Sequence, residues 1–140
     1  GGMNVFSDTI RLNTTQKTED INITDMVGVV VYESKIKEGS AVVFTGHTTA
    51  GIHLNNNDLE LAIDFHDLLN ELVPNKKSFK HNKGDYGKNA DAHIKSVLVG
   101  NSVTIPVSNN KLQIGQWQAV YLSEFDGTRN RVITVKIIGK

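Results

Sequence analysis

The sequence predicts an α+β fold with largely antiparallel strands. Three observations carry this expectation. Strand-like segments rich in β-branched residues recur along the chain, including both ends at 5–12 and 131–138. Two longer helical segments and one short one are interspersed, in the order ββα, ββα, loop, short α. Four strands in succession then close the chain, which places the helices together on the sheet.

The elements follow from their residues. Phe6, Asp8, Ile10 and Leu12 alternate with Ser7, Thr9 and Arg11 in a first strand. Asp20-Ile21-Asn22-Ile23 is a short second strand. Thr24 is expected to cap the first helix, with Asp25 in its opening turn, and Lys35, Lys37 and Gly39 as its basic end and glycine stop. The run 40–45 is apolar almost throughout and predicts a strand covered on both faces. It leads into Gly46-His47-Thr48-Thr49-Ala50-Gly51 and a short strand at 52–55. Asn57 or Asp58 caps a second helix over 59–73, with Leu61, Phe65, Leu68, Leu69 and Leu72 as its core stripe and His66 on the wet side. Pro74 ends it. Residues 75–88 have loop composition, and a loop of that length is often functional.

The short helix follows. Asn89 is its expected N-cap, Asp91 faces the positive end of the dipole, and Ile94, Val97 and Leu98 share one face up to a stop at Gly100. Strands are then predicted at 102–107, 111–114, 116–123 and 131–138. Asn109-Asn110 makes the hairpin turn, because asparagine tolerates positive φ, and Pro106 favours an edge. Trp117 and Tyr121, four apart, are expected on one face.

Length and charge narrow the function classes. A chain of 140 residues makes one domain and can bury roughly two-thirds of its unfolded surface. Having no cysteine, it excludes disulfides and thiolate metal sites, so any transition metal must be held by imidazole and carboxylate. The compartment this composition fits is the cytoplasm. Fifteen basic residues balance fifteen acidic ones, which leaves no electrostatic footprint for nucleic acid or an anionic membrane. Neutral net charge favours self-association. No apolar run approaches the roughly 20 residues of a membrane span. Gly1-Gly2 before Met3 reads as a cloning remnant, leaving a single domain over 3–140.

Five histidines are the main chemical candidates, and no two have the spacing of a zinc finger or a helical His-x-x-x-His pair. His93 stands in the first turns of a helix, where the dipole disfavours imidazolium and keeps the ring able to bind a metal or take a proton. His47 leaves a strand beside small residues, a common cleft position. His81 lies in the long loop, and His53 faces away from Ile52 and Leu54. Thr48, Thr49 and Gly51, the candidate cofactor-binding residues, offer hydroxyls and flexible backbone for an anion or a metal-bound water. Glu124, Asp126 and Arg129 read either as an acid–base pair with an anion clamp or as a salt-bridged turn.

Three segments in series resemble the YjbQ-like family, whose members carry the label secondary thiamine-phosphate synthase. They are Gly46-His47-Thr48-Thr49-Ala50-Gly51-Ile52, then His81-Asn82 through Asn89-Ala90-Asp91-Ala92-His93-Ile94, then Gly115-Gln116-Trp117-Gln118 through Glu124-Phe125-Asp126-Gly127-Thr128-Arg129. This chain has Lys88, Asn56 and Thr128 where the family commonly has an acid, a glutamate and a proline. The resemblance implies a sandwich of two packed sheets assembled as a homotrimer. It also implies that His47, His81 and His93 hold a divalent metal, zinc by its ligand type, in an open site. The activity implied is a metal-dependent reaction of thiamine-phosphate synthase type on a small anionic substrate. Glu124 or Asp91 would move a proton and Arg129 would bind an anionic group, with Lys80, Lys95 and Arg131 as further cations. The competing expectation is a non-catalytic trimer that binds a ligand or metal with the same histidines.

Overall fold

Two antiparallel sheets form around one core in the computed structural model, which describes residues 2–140. Gly1, half of the expected cloning remnant, lies outside the described residues. The chain runs β1 (Asn4–Asn13), β2 (Glu19–Asn22), α1 (Thr24–Ser34), β3 (Glu38–Phe44), β4 (Ala50–Asn56), α2 (Leu59–Leu72), α3 (Lys80–Lys83), α4 (Ala90–Val99), β5 (Ser102–Ser108), β6 (Lys111–Leu112), β7 (Gln118–Glu124) and β8 (Asn130–Gly139). The larger sheet has the order β1-β8-β3-β5-β6 and the smaller β2-β7-β4. Every pairing is antiparallel. This is the α+β sandwich that the sequence and its resemblance lead one to expect. None of the described helices is long and apolar enough to cross a membrane.

The core lies between the sheets and under α1. Val43, Ile105, Ile133, Val135 and Ile137 of the larger sheet meet Ile52, Val120 and Leu122 of the smaller, with Val27, Val30 and Val31 of α1 packed against them. Period-two alternation decides who points inward. In β8 the alternate residues Arg131, Ile133, Val135 and Ile137 are all buried. A cation therefore occupies the first inward position of an otherwise apolar row, and it has to be paired there. The Asn109-Asn110 turn has φ of 54° and 60°, as its residue type predicts.

Several local expectations are corrected. Thr24 is not the cap of α1. The Asn22 carboxamide oxygen accepts the Thr24 N–H at 3.0 Å, while the Thr24 hydroxyl accepts the Val120 N–H of β7 at 2.9 Å. Gly39 is not a helix stop, since α1 ends at Ser34 and is capped by Lys35 with φ of 60°. Gly39 instead lies in β3, where a Cβ would stand 2.0 Å from the Ile138 carbonyl oxygen. β3 is covered fully on one face only, with Ala41 and Val43 buried and Phe44 exposed. Trp117 is exposed in the turn before β7, and Tyr121 is buried.

The helix faces are rotated from those expected. α2 buries Ala62, His66 and Leu69, and leaves Leu68 and Leu72 in the open. Asp58 caps it by accepting the Glu60 and Leu61 N–H groups. α4 buries Ala90, Ala92, Lys95 and Ser96, and exposes Val97 and Leu98. Polar partners set both rotations. Asp20 of β2 accepts from His66 Nε2 at 2.6 Å, and Ser96 Oγ donates to the Ala50 carbonyl at 2.6 Å. Within residues 75–88, the chain forms α3 around the buried Asn82. The Asn82 carboxamide donates to Asn75 Oδ1 and the Lys76 carbonyl, and accepts the Ala90 N–H.

Candidate functional site

A polar cleft of about 630 Å³ opens at the end of the sandwich where β1, β3 and β8 meet the start of α4. Its wall includes His47, Thr48 and Thr49 after β3, Asn89 and His93 at α4, and Thr128, Arg129 and Arg131 around the start of β8. Asn13, Thr14 and Asn130 complete it. Almost every lining group can donate a hydrogen bond.

The floor of the cleft is a buried ion pair. Arg131 and Glu124 are 2 % and 0 % exposed. Arg131 Nε donates to Glu124 Oε1 at 2.9 Å, and its Nη2 donates to Glu124 Oε2 and to Thr49 Oγ1 at 2.8 Å. Thr14 Oγ1 and the N–H groups of Phe125 and Asp126 also donate to Glu124. Burial alone would push the Glu124 carboxyl up; these donors outweigh it and hold the group below its ordinary range. Glu124 thus has no exposed surface, and both of its carboxylate oxygens are engaged by donors inside the protein.

Asp126 organises the next layer. Its carboxylate accepts from Lys17 Nζ at 2.6 Å, Arg129 Nη2 at 2.8 Å and Asn89 Nδ2 at 2.8 Å. Burial opposes ionisation, and these three donors overcome it to hold the carboxyl at about 2. Arg129 is half-exposed on the cleft wall, with part of its guanidinium committed to Asp126 and the rest open. Arg129 and Asp126 thus form an ion pair within this turn.

The histidines fall into a pair and a single. The rings of His81 and His93 meet edge to face with centroids 4.9 Å apart. His81 Nε2 lies 2.9 Å from Asn89 Oδ1. Because the Asn89 amide nitrogen faces Asp126, its oxygen faces His81, and His81 Nε2 must carry the proton. Asn89 therefore makes no side-chain cap for α4; it links His81 to Asp126. His93 makes no side-chain hydrogen bond among the described residues and lines the cleft.

His47 lines the same cleft, but its Nε2 accepts the Val132 N–H at 3.0 Å. Its pKa is lowered by burial first and then by the Arg131 charge; Glu124 opposes this, and Arg129 adds a smaller lowering effect. Among the described residues, no three His, Asp or Glu side chains form a group able to hold a metal ion. The lone pair a metal would need at His47 Nε2 is already engaged. Three imidazoles around one metal therefore do not fit this arrangement.

The other expected residues divide. Thr48 is exposed on the cleft, and Thr49 is buried with its hydroxyl on Arg131. Gly51 is not on the wall; it lies in β4, where a Cβ would stand 2.9 Å from both the Gly100 carbonyl oxygen and Val99. Its missing side chain lets α4 pack on β4. Asp91 is also away from the cleft, 3.6 Å from Lys95 Nζ. Lys95 is buried and donates to Asn70.

A second polar cluster has no counterpart in the sequence reading. Asp20 Oδ1 accepts from His66 Nε2 at 2.6 Å and Ser123 Oγ at 2.5 Å, and Oδ2 lies 3.5 Å from His53 Nε2. Burial would raise the Asp20 carboxyl, yet the His66 and Ser123 hydrogen bonds and the adjacent His53 ring hold it at about 2. The alternation that turned His53 away from Ile52 was the available signal; nothing local marked His66 as buried.

The profile of the family described as UPF0047 protein YjbQ-like matches residues 8–140. A UPF0047 protein of Methanothermobacter thermautotrophicus is 40 % identical over 99 % of this chain and 95 % of its own length. Another, from Methanocaldococcus jannaschii, is 42 % identical over 92 % of this chain and 91 % of its own. A YbjQ-like protein of unknown function from Sulfolobus solfataricus, solved by crystallography, superposes with a TM-score of 0.94 at 37 % identity, covering 99 % of this chain and all of that one. With its profile match, its near full-length relatives and its fold in agreement, this chain belongs to the YjbQ-like UPF0047 family.

Proposed function

We propose that the protein is a small-molecule enzyme that binds an anionic substrate in the polar cleft and carries out acid–base chemistry there with His93. The observation that carries this reading is the pairing, on one cleft wall, of a half-exposed Arg129 guanidinium with an imidazole that makes no side-chain hydrogen bond among the described residues. Arg129 is oriented by Asp126 and directs its remaining N–H groups outward, which suits a phosphate or carboxylate oxygen. The hydroxyls of Thr48 and Thr128 add donors on the same wall. His93 is then placed to exchange a proton with the bound molecule. His81, with its own proton fixed on Asn89, steadies the His93 ring and does not compete for substrate. The activity implied by the sequence resemblance, thiamine-phosphate formation, is the first reaction to assay.

Self-association into the homotrimer suggested by the resemblance is part of the same reading. It is supported by apolar side chains left exposed on α2 and α4, among them Leu59, Ile63, Leu72, Val97 and Leu98. The competing reading is a binding protein without turnover. Calorimetric titration with inorganic phosphate, pyrophosphate and thiamine phosphate separates the two when run beside the activity assay. Arg129→Met should weaken anion binding, whereas His93→Ala should abolish turnover and leave binding nearly intact. Anion binding with no turnover in the parent protein would favour the binding reading. Equal binding by Arg129→Met and the parent would remove the anion site altogether.

A further inference from the structure

We infer that His47 is a fixed, neutral hydrogen-bond donor that presents Nδ1–H to a ligand oxygen in the cleft, and that it is not a metal ligand. This deepens the proposed function and rests on the cleft being a ligand site. The argument begins with one backbone group. Val132 N–H donates to His47 Nε2 at 3.0 Å. A backbone N–H can only donate, so Nε2 must be the bare nitrogen. A neutral imidazole carries one proton, and it is therefore on Nδ1. Protonating Nε2 would set two N–H groups against each other, so the Val132 contact opposes the imidazolium. Burial and the Arg131 and Arg129 charges act in the same direction.

Nδ1 has no partner among the described residues, and it is not one of the buried side-chain atoms left without a hydrogen bond. It is consequently open. His47 borders two neighbouring recesses, and both also contain Thr48 and His93. A ligand oxygen in either recess meets a donor whose position is set by the β8 backbone. That donor costs nothing to reorganise, which is what electrostatic stabilisation of a developing negative charge requires. The two cleft histidines then have complementary roles. His47 donates and does not change protonation state; His93 exchanges the proton.

Metal binding is opposed at either nitrogen. A metal on Nε2 displaces the Val132 N–H and leaves it unpaired. A metal on Nδ1 requires that nitrogen to be bare, which moves the proton to Nε2, against the same N–H.

The test uses the full-length protein. Long-range 1H–15N correlation spectra of ring-labelled histidine report which nitrogen of His47 carries the proton, with no ligand needed. The expected spectrum has the proton on Nδ1 and is unchanged by added Zn2+. A proton on Nε2, or a His47 resonance that moves on Zn2+ addition, overturns the assignment.

The donor role is read separately. His47→Gln can still accept from Val132 through its amide oxygen but has no group at the Nδ1 position. It should keep the parent fold, as judged by circular dichroism, and bind inorganic phosphate roughly tenfold more weakly than the parent. Equal phosphate affinity in the two proteins overturns the donor role. If the parent itself binds no phosphate while the spectrum shows Nδ1–H, the cleft reading fails and the donor role fails with it. The tautomer and the exclusion of metal from His47 then stand on the spectrum.

Discussion

Replacing Glu124 with glutamine tests whether this carboxylate anchors the fold or serves chemistry. Glu124 is fully buried and accepts from Thr14, from two nitrogens of Arg131 and from two backbone N–H groups. Glutamine must place an NH2 where one carboxylate oxygen stood, and both oxygens face donors. Arg131 also loses its counter-charge while only 2 % exposed. Breaking one side of such a buried pair costs about 3–5 kcal/mol. At about 2.1 cal/mol/K per residue, a domain of this size has a melting entropy near 0.3 kcal/mol/K, so the midpoint should fall by roughly 10–17 °C. Calorimetry and urea denaturation at pH 7 measure this directly. The double variant Glu124→Gln/Arg131→Met removes the orphaned charge as well and should be more stable than the Glu124→Gln single variant. A midpoint shift of less than about 3 °C in the single variant, or stability lost equally whether or not Arg131 is present, would refute the anchor argument.

Three further outcomes follow from the packing. Asp20 has its carboxyl held at about 2 against an ordinary 3.8, so it contributes about 2 kcal/mol that is present above the unfolded value and lost as pH falls from about 4 to about 2. In Asp20→Asn that acid limb of the stability curve should flatten, and an unchanged limb would show that the cluster contributes nothing. Gly51→Ala drives a Cβ to 2.9 Å from the Gly100 carbonyl oxygen and should cost roughly 1–3 kcal/mol in chemical denaturation, unless α4 is free to slide off β4. Asn89→Leu removes the link between His81 and Asp126; the proton of His81 should then no longer be confined to Nε2 in nitrogen-correlated spectra, and retention of that preference would mean another group fixes the ring.

Much of the candidate site was legible as residues and little of it as arrangement. His47, Thr48, His93 and Arg129 were singled out by strand ends, turns and a helix start, and all four line one cleft. The roles of Glu124, Asp91 and Gly51 were not legible. Each role depends on what stands opposite in space: Arg131 for Glu124, Lys95 for Asp91, and the end of α4 for Gly51. The Asn89 side chain is an instructive case. By position it should cap its own helix, but a carboxylate 37 residues later and an imidazole 8 residues earlier compete for it and win.

By itself the sequence determined the order of the main elements, the antiparallel class, the asparagine hairpin and an Asn57-or-Asp58 cap for α2, because these depend on period, propensity and bonds between residues a few positions apart. The faces that α2 and α4 bury were decided only by the tertiary structure. Their apolar stripes pointed elsewhere, and a carboxylate on β2 and a carbonyl on β4 turned His66 and Ser96 inward. The tautomers of His47 and His81 were decided there too. A ring nitrogen takes its state from the one group it faces, and for His47 that group is a backbone N–H 85 residues away.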